Sequence, residues 1–273
     1  MRIGSAGWLA GVLQGLVAPG CAFLPQVAKV PVLENPFPEV RRVAVSPFFN
    51  LSEEPTVDGR QFALAYYNAL QSVPGFEVIP VGQVERAMRE YGINLNSPQE
   101  ACRLAQILGA DAIVIGAVTD YSPYYPPRLG LRVEWYPAQP GPPSSSRALG
   151  KKSCGCEPCL GPLNGEVIVA GEEYRTFDGI NTPIKQEKTP HDPPIFPLVT
   201  HTRIYNGHDA EFTSALSQYH LTRDDARFAG WQTYLERSDD FIRFCCYKHL
   251  EEMLIQQGGA GKTKLVWRWS AIR

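Results

Sequence analysis

The residues whose spacing most clearly allows chemistry are three cysteines, Cys154, Cys156 and Cys159. The two-residue gap between Cys156 and Cys159 lets two thiolates bind one zinc ion or close a reactive disulfide, and Cys154 could add a third ligand. A closed zinc site needs four ligands, and no second paired cluster follows in the sequence. In an oxidising compartment such cysteines form a disulfide or stay unpaired at the surface more often than they bind metal. Metal binding and redox chemistry therefore remain as alternatives to a disulfide.

Other motifs that suggest a site each lack an essential element. The run Gly258-Gly259-Ala260-Gly261-Lys262-Thr263 has Gln256 where a phosphate-binding loop requires its first glycine, and it follows a predicted helix instead of a strand. The histidines show no metal-binding spacing; they are His191, His201, His208, His220 and His249. We therefore predict no enzyme activity and no cofactor.

The amino terminus has the layout of a secretory signal. Arg2 precedes a short apolar stretch, and small residues lead to Cys21 in the run Ala18-Pro19-Gly20-Cys21. This run resembles a bacterial lipobox, in which the cysteine is acylated and becomes the new amino terminus, although Ala18 stands where leucine is usual. The resemblance implies lipidation at Cys21, and Ala22 after it implies the outer membrane. A plain signal peptide with an incidental cysteine, or a buried amino-terminal helix, is the alternative.

Composition limits the classes of partner. The chain has 273 residues and a net charge of -2, with 26 Lys and Arg against 28 Asp and Glu. Nucleic-acid binding needs a cationic excess on one face, so we expect no nucleic-acid partner. The 24 glycines and 24 prolines indicate long irregular segments.

One buried strand organises the predicted domain. Residues 111–119 are almost continuously apolar and rich in β-branched types, which predicts a strand covered on both faces. Before it, Ser97, Pro98 and Glu100 form the signature of a helix start, a capping box with proline at the first helical position. Residues 238–257 predict a second long helix that ends at two glycines.

The predicted fold class is α/β, a mixed sheet covered by helices, with a long Pro/Gly-rich insertion and a carboxy-terminal helix. We divide the chain into a signal peptide (1–20), a lipid-anchored tether (21–40), an α/β domain (41–136 and 198–257), an irregular insertion (137–197) and a tail (258–273). Aromatic residues interleaved with prolines suggest a surface for a partner segment or a packed domain edge; they are Tyr121, Tyr124, Tyr125, Trp135 and Tyr136.

Three segments of the predicted domain resemble a known family. They are the strand and turn at 43–52, the helix end and strand at 73–79, and the run at 108–116. They are similar to bacterial envelope proteins grouped around the curli-secretion lipoprotein CsgG and to the amino-terminal domain of TolB. The resemblance covers about residues 42–125 and implies a periplasmic domain that works through protein contacts.

We therefore expect a non-catalytic lipoprotein, anchored in the outer membrane and facing the periplasm, whose domain mediates protein interaction, envelope assembly or secretion. Its expected partners are the membrane, through the lipid anchor, and an envelope protein; a homo-oligomer is a further option. The first alternative is a metal-binding or redox-active envelope protein that uses Cys154, Cys156 and Cys159. The second is a subunit of an oligomeric CsgG-like secretion complex.

Overall fold

The computed structural model describes residues 26–139, 195–223 and 230–268. The strands are β1 (Gln26–Leu33), β2 (Arg42–Val45), β3 (Phe49–Asn50), β4 (Glu77–Ile79), β5 (Ala112–Ser122), β6 (Arg128–Pro137), β7 (Val199–Asn206) and β8 (Ala260–Arg268). The helices are α1 (Gly59–Gln71), α2 (Val81–Tyr91), α3 (Pro98–Leu108), α4 (Ala210–Thr222), α5 (Thr233–Glu236) and α6 (Ser238–Gln256). The predicted α/β class with a mixed sheet and a long carboxy-terminal helix is confirmed.

The main sheet has the strand order β4-β2-β5-β6-β7, and β3 also pairs with β5. The β4, β2 and β3 strands lie parallel to their partners, whereas β5, β6 and β7 run antiparallel to one another. The crossovers between the parallel strands contain the helices α1, α2 and α3, as parallel pairing requires.

The β5 strand lies at the centre of the domain and is buried on both faces. Val114 and Val118 pack into a core that also contains residues of α1, α4 and α6. Ile113 faces the opposite side, where it packs with Val84 of α2 and Leu104 of α3. The continuous apolar run thus reflects helices above and below the strand, as predicted.

The start of α3 confirms the helix-capping prediction, with one change. The Ser97 hydroxyl accepts a hydrogen bond from the Glu100 amide at 3.3 Å, and Pro98 occupies the first helical position. The Glu100 carboxylate accepts from the Asn96 amide at 2.7 Å, one residue before the expected partner. Gly109 ends the helix in the left-handed conformation.

The predicted single strand at 42–49 is divided into β2 and β3. Between them, Phe48 turns into the core and its ring lies over Gly116 of β5. A Cβ at position 116 would lie 2.4 Å from this ring, so only glycine leaves enough room. The break in the strand therefore allows Phe48 to fill the core between β5 and α1.

The two ends of the described chain pair with each other, which the sequence analysis did not expect. Gln26–Leu33, assigned to the tether, forms an antiparallel two-stranded ribbon with Ala260–Arg268, assigned to the tail. We call this pair the terminal ribbon. It packs beside α4 and α6, so residues 26–33 are not a free tether. Pro31 is tolerated because β1 pairs on one side only.

The remaining domain boundaries stay predictions. Residues 140–194, most of the predicted insertion, lie outside the described residues, as does the strand expected at 166–170. Among the described helices, none has the length and apolar character needed to cross a bilayer.

Candidate functional site

None of the sequence-predicted site residues belongs to the described part of the chain. Cys21, Cys154, Cys156 and Cys159 all lie outside it, so lipidation and the metal or disulfide alternatives stay predictions. Within residues 26–139, 195–223 and 230–268, no group of three or more His, Cys, Asp or Glu side chains could hold a metal ion.

The three cysteines of the described residues, Cys102, Cys245 and Cys246, are buried free thiols, as predicted. Burial raises the pKa of both Cys245 and Cys246 well above the ordinary value, so both remain protonated. A thiolate is needed for nucleophilic attack or metal binding. These residues therefore fill the core and do no chemistry.

A buried polar cluster joins β7 to α6. The rings of His201 and His249 lie 4.6 Å apart, and His249 Nε2 donates to the His201 carbonyl at 3.3 Å. The Glu252 carboxylate accepts from the Tyr205 hydroxyl at 3.2 Å and lies 3.7 Å from Arg203 Nε. These contacts fix the position of α6 against the edge of the sheet.

The protonation states in this cluster follow from burial and charge. Burial lowers the pKa of His249 to about 3, and the neighbouring His201 adds to this effect, so His249 is neutral near pH 7. Burial acts to raise the pKa of Glu252, but hydrogen bonding to His201 and the charges of Lys248 and Arg203 outweigh it. The pKa of Glu252 is therefore below its ordinary value. The neighbouring thiol, Cys245, is protonated, so the cluster lacks an activated nucleophile.

The predicted aromatic surface is divided between the core and the solvent. Trp135 is fully buried and packs against the rings of Phe37 and Phe76, at centroid distances of 5.9 and 5.6 Å. Tyr124 and Tyr125, at the turn between β5 and β6, are 77% and 72% exposed. The five aromatics therefore do not form one surface.

A concave surface lies between α1, α4, α6 and the terminal ribbon. Three depressions of about 190, 450 and 330 Å³ adjoin there, and all three are lined by Thr222 and Tyr247. We call this surface the ribbon groove. Its other walls come from α1 (Ala65, Ala69, Ser72), α4 (Ala215, Gln218, Tyr219) and β1 (Val30, Pro31).

Aromatic rings form the floor of the ribbon groove. The rings of Tyr219 and Tyr247 lie 4.8 Å apart, and the Phe244 ring lies 5.0 Å from that of Tyr219. Such rings offer a large apolar area at a small cost in side-chain entropy. The floor is therefore suited to an extended segment with apolar side chains.

The rim of the ribbon groove is mainly cationic. Its basic residues are Lys29, Arg223, Arg243, Lys248 and Lys264, and Glu251 is its acidic residue. Lys248 Nζ contacts the Glu251 carboxylate at 2.6 Å, and Arg243 lies 3.9 Å from the Asp240 carboxylate, so these two cations are partly neutralised. Lys29 and Lys264 add further positive charge to the rim. Burial and the nearby Glu251 raise the pKa of Tyr247, so its hydroxyl stays protonated and donates to that carboxylate at 3.3 Å.

The sequence contained only a weak signal for this groove. Tyr247 and Lys248 belong to α6, a helix of mixed apolar and charged residues whose buried residues lie all around its circumference. The α4 helix shows no extended apolar stripe in the sequence, because Phe212 and Leu216 are its only buried residues. The groove could therefore not be found before the ribbon and the helices were placed in space.

Neither a family model nor a curated protein matches the chain. Among solved structures, lipoprotein GNA1162 from Neisseria meningitidis is similar at 21% identity and a TM-score of 0.30, over 36% of this chain and 69% of that one. The LpoB C-terminal domain from Salmonella enterica is similar at 14% identity and a TM-score of 0.31, over 49% and 84%. The PelC dodecamer from Paraburkholderia phytofirmans is similar at 17% identity and a TM-score of 0.25, over 42% and 71%.

These neighbours include a bacterial lipoprotein. The likeness is partial in each case. The finer resemblance to CsgG and to the amino-terminal domain of TolB stays a prediction.

Proposed function

We propose that this chain is a non-catalytic lipoprotein of the bacterial envelope, anchored in the outer membrane through Cys21 and facing the periplasm. Its α/β domain binds an acidic, partly apolar segment of another envelope protein in the ribbon groove. The observation that carries the binding part is the combination of an aromatic floor, formed by Tyr219 and Tyr247, with a cationic rim.

The chemistry of the described residues supports a binding role over catalysis. The thiols are protonated, and His249 is enclosed in the core. A general base has to reach the proton that it abstracts, and the imidazole of His249 is fully buried. The groove, in contrast, is open to solvent and joins four elements of the fold.

Site-specific photocrosslinking in intact membranes tests the groove. A photoreactive amino acid at Gln218, an exposed position in the groove, is expected to give a discrete adduct with an envelope protein. The same amino acid at Arg103, which is exposed on α3 on the opposite face, serves as the control. Identical adducts from both positions, or none from Gln218, would contradict a groove-specific partner.

Charge removal tests the acidic character of the partner. Combining Arg243→Gln with Lys264→Gln should weaken the Gln218 adduct about twofold to thirtyfold, since each exposed ion pair contributes about 0.2–1 kcal/mol. Arg86→Gln with Arg103→Gln removes the same charge from α2 and α3 and should leave the adduct unchanged. An equal effect of both pairs would show that the groove does not select for negative charge.

The anchor is tested separately from the groove. Globomycin, which blocks cleavage of lipoprotein signals, should cause the uncleaved precursor to accumulate. The mature chain from untreated cells should carry acyl groups on Cys21 by mass spectrometry. A mature Cys21 without acyl groups would overturn the lipoprotein assignment and leave the crosslinking result intact.

A further inference from the structure

The outer face of the terminal ribbon exposes apolar residues that the domain does not cover. In an antiparallel pair, residues opposite each other point to the same face. Val27 lies opposite Trp267, and Lys29 lies opposite Leu265. Ala28, between them in β1, is fully buried and marks the inner face. Val27, Leu265 and Trp267 are 44%, 50% and 60% exposed, so they share the face directed away from the core.

The ribbon is also cationic. Lys29 is exposed on the outer face, whereas Lys262 and Lys264 lie opposite Val32 and Val30 and belong to the other face; neither β1 nor β8 contains an aspartate or glutamate. A tryptophan beside aliphatic side chains and lysines is the composition typical of a segment at a membrane interface. Near an anionic lipid surface, each such lysine contributes about 1 kcal/mol of attraction.

The sequence position of the ribbon specifies which surface it can reach. Gln26, the first residue of β1, is five residues after Cys21. Five residues span at most about 18 Å, even when fully extended. With Cys21 acylated, β1 must therefore begin within this distance of the bilayer.

We propose that the outer face of the terminal ribbon lies on the phospholipid bilayer. Trp267, Leu265 and Val27 enter the interfacial region, and Lys29, on the same face, contacts anionic headgroups. This inference rests on the proposed lipid anchor for its geometry. It adds a second membrane contact that orients the domain and does not depend on the identity of the partner in the groove.

Fluorescence quenching by brominated phospholipids tests this contact. The full acylated chain is reconstituted in vesicles of phosphatidylethanolamine and phosphatidylglycerol, with bromine on the acyl chains. Tryptophan emission should be quenched in the unchanged protein. All variants carry Trp269→Phe, because Trp269 lies two residues from Trp267 in the sequence and would also report. In this background, Trp267→Phe should remove most of the quenching, because phenylalanine keeps the apolar contact but does not report.

Two further variants separate the proposed contact from general proximity to the membrane. Lys29→Gln, which removes the lysine of the outer face, should at least halve the quenching at low salt. Replacing Tyr124 and Tyr125 by serine removes equally exposed aromatics from the turn between β5 and β6, and should have no effect.

Quenching that persists in Trp267→Phe would overturn the proposal, as would equal loss in the tyrosine control. Absence of quenching together with crosslinks between copies at position 265 would also overturn it, and would assign the face to self-association. The anchor is judged on the same samples by the mass of the Cys21 peptide. If that peptide carries no acyl groups, cosedimentation of the unacylated chain with the same vesicles decides the ribbon contact alone.

Discussion

The buried His249 should make the protein lose stability in mildly acidic solution. Its side chain extends from α6 into the core and contacts His201 of β7. Burial lowers the pKa of His249 to about 3. The unfolded chain regains the ordinary value of about 6.5. Below pH 6.5 the unfolded state therefore binds the proton and the folded state does not, so stability falls as the pH falls, until about pH 3.

The size of this effect follows from the two pKa values. A pH of about 5 is about 1.5 units below the pKa of His249 in the unfolded chain, so the unfolded side chain is protonated. The folded side chain is still neutral at this pH. The free energy of unfolding should therefore drop by about 2 kcal/mol between about pH 7 and about pH 5.

Other ionisable groups that face His249 are His201 on β7, Tyr66 on α1 and Glu252 on α6. Burial raises the pKa of Tyr66 above its ordinary value, so its hydroxyl does not ionise in this window. The lowered pKa of Glu252 keeps its carboxylate charged there. Because His201 also contacts His249, the contribution of His249 has to be isolated by substitution.

Urea unfolding followed by far-ultraviolet circular dichroism, at several pH values between about 5 and 7, measures the effect. His249→Gln keeps a donor for the His201 carbonyl and does not titrate, so it should flatten the dependence by about 2 kcal/mol. His208→Gln, at an exposed position, should leave the dependence unchanged. The same slope in the unchanged protein and in His249→Gln would refute the assignment of a neutral, buried imidazole.

Three further outcomes test the packing and the core chemistry. Gly116→Ala should destabilise the domain by about 1–3 kcal/mol in urea unfolding, because the new Cβ meets the Phe48 ring; an unchanged midpoint would contradict the close approach. Ser97→Ala should cost about 1 kcal/mol through the lost helix cap, and a neutral result would show that the cap is dispensable. Alkylation read by peptide mass spectrometry should leave Cys245 and Cys246 unmodified in the native protein and modify them in urea; native labelling would contradict their burial.

The features that the sequence predicted well depend on short segments. The β5 strand is a continuous apolar run, and the α3 cap needs only Ser97, Pro98 and Glu100 in order. Gly109 ends α3 because glycine readily adopts the left-handed conformation found there. Such features are fixed by neighbours in the chain, so periodicity and capping rules are enough to find them.

The terminal ribbon could not be predicted in this way. Gln26 and Arg268 form its first pair, although 241 residues separate them. Each strand alone shows an incomplete pattern: Pro31 interrupts β1, and β8 is mostly exposed. Only their pairing provides backbone partners for both strands, and pairing between distant segments leaves no periodic signal in either one. The ribbon groove shares this property, because its walls come from four separate elements.

The ribbon links the two proposals geometrically. Its inner face supplies Val30 and Lys264 to the groove, while its outer face carries Leu265 and Trp267. A ribbon is a single sheet layer, and layers packed face to face lie about 10 Å apart. A segment bound in the groove would thus lie about one layer from the bilayer whenever the outer face is docked. The partner is then expected to be a membrane-associated protein or one with an acidic segment close to the membrane, because a segment bound in the groove would lie near the bilayer.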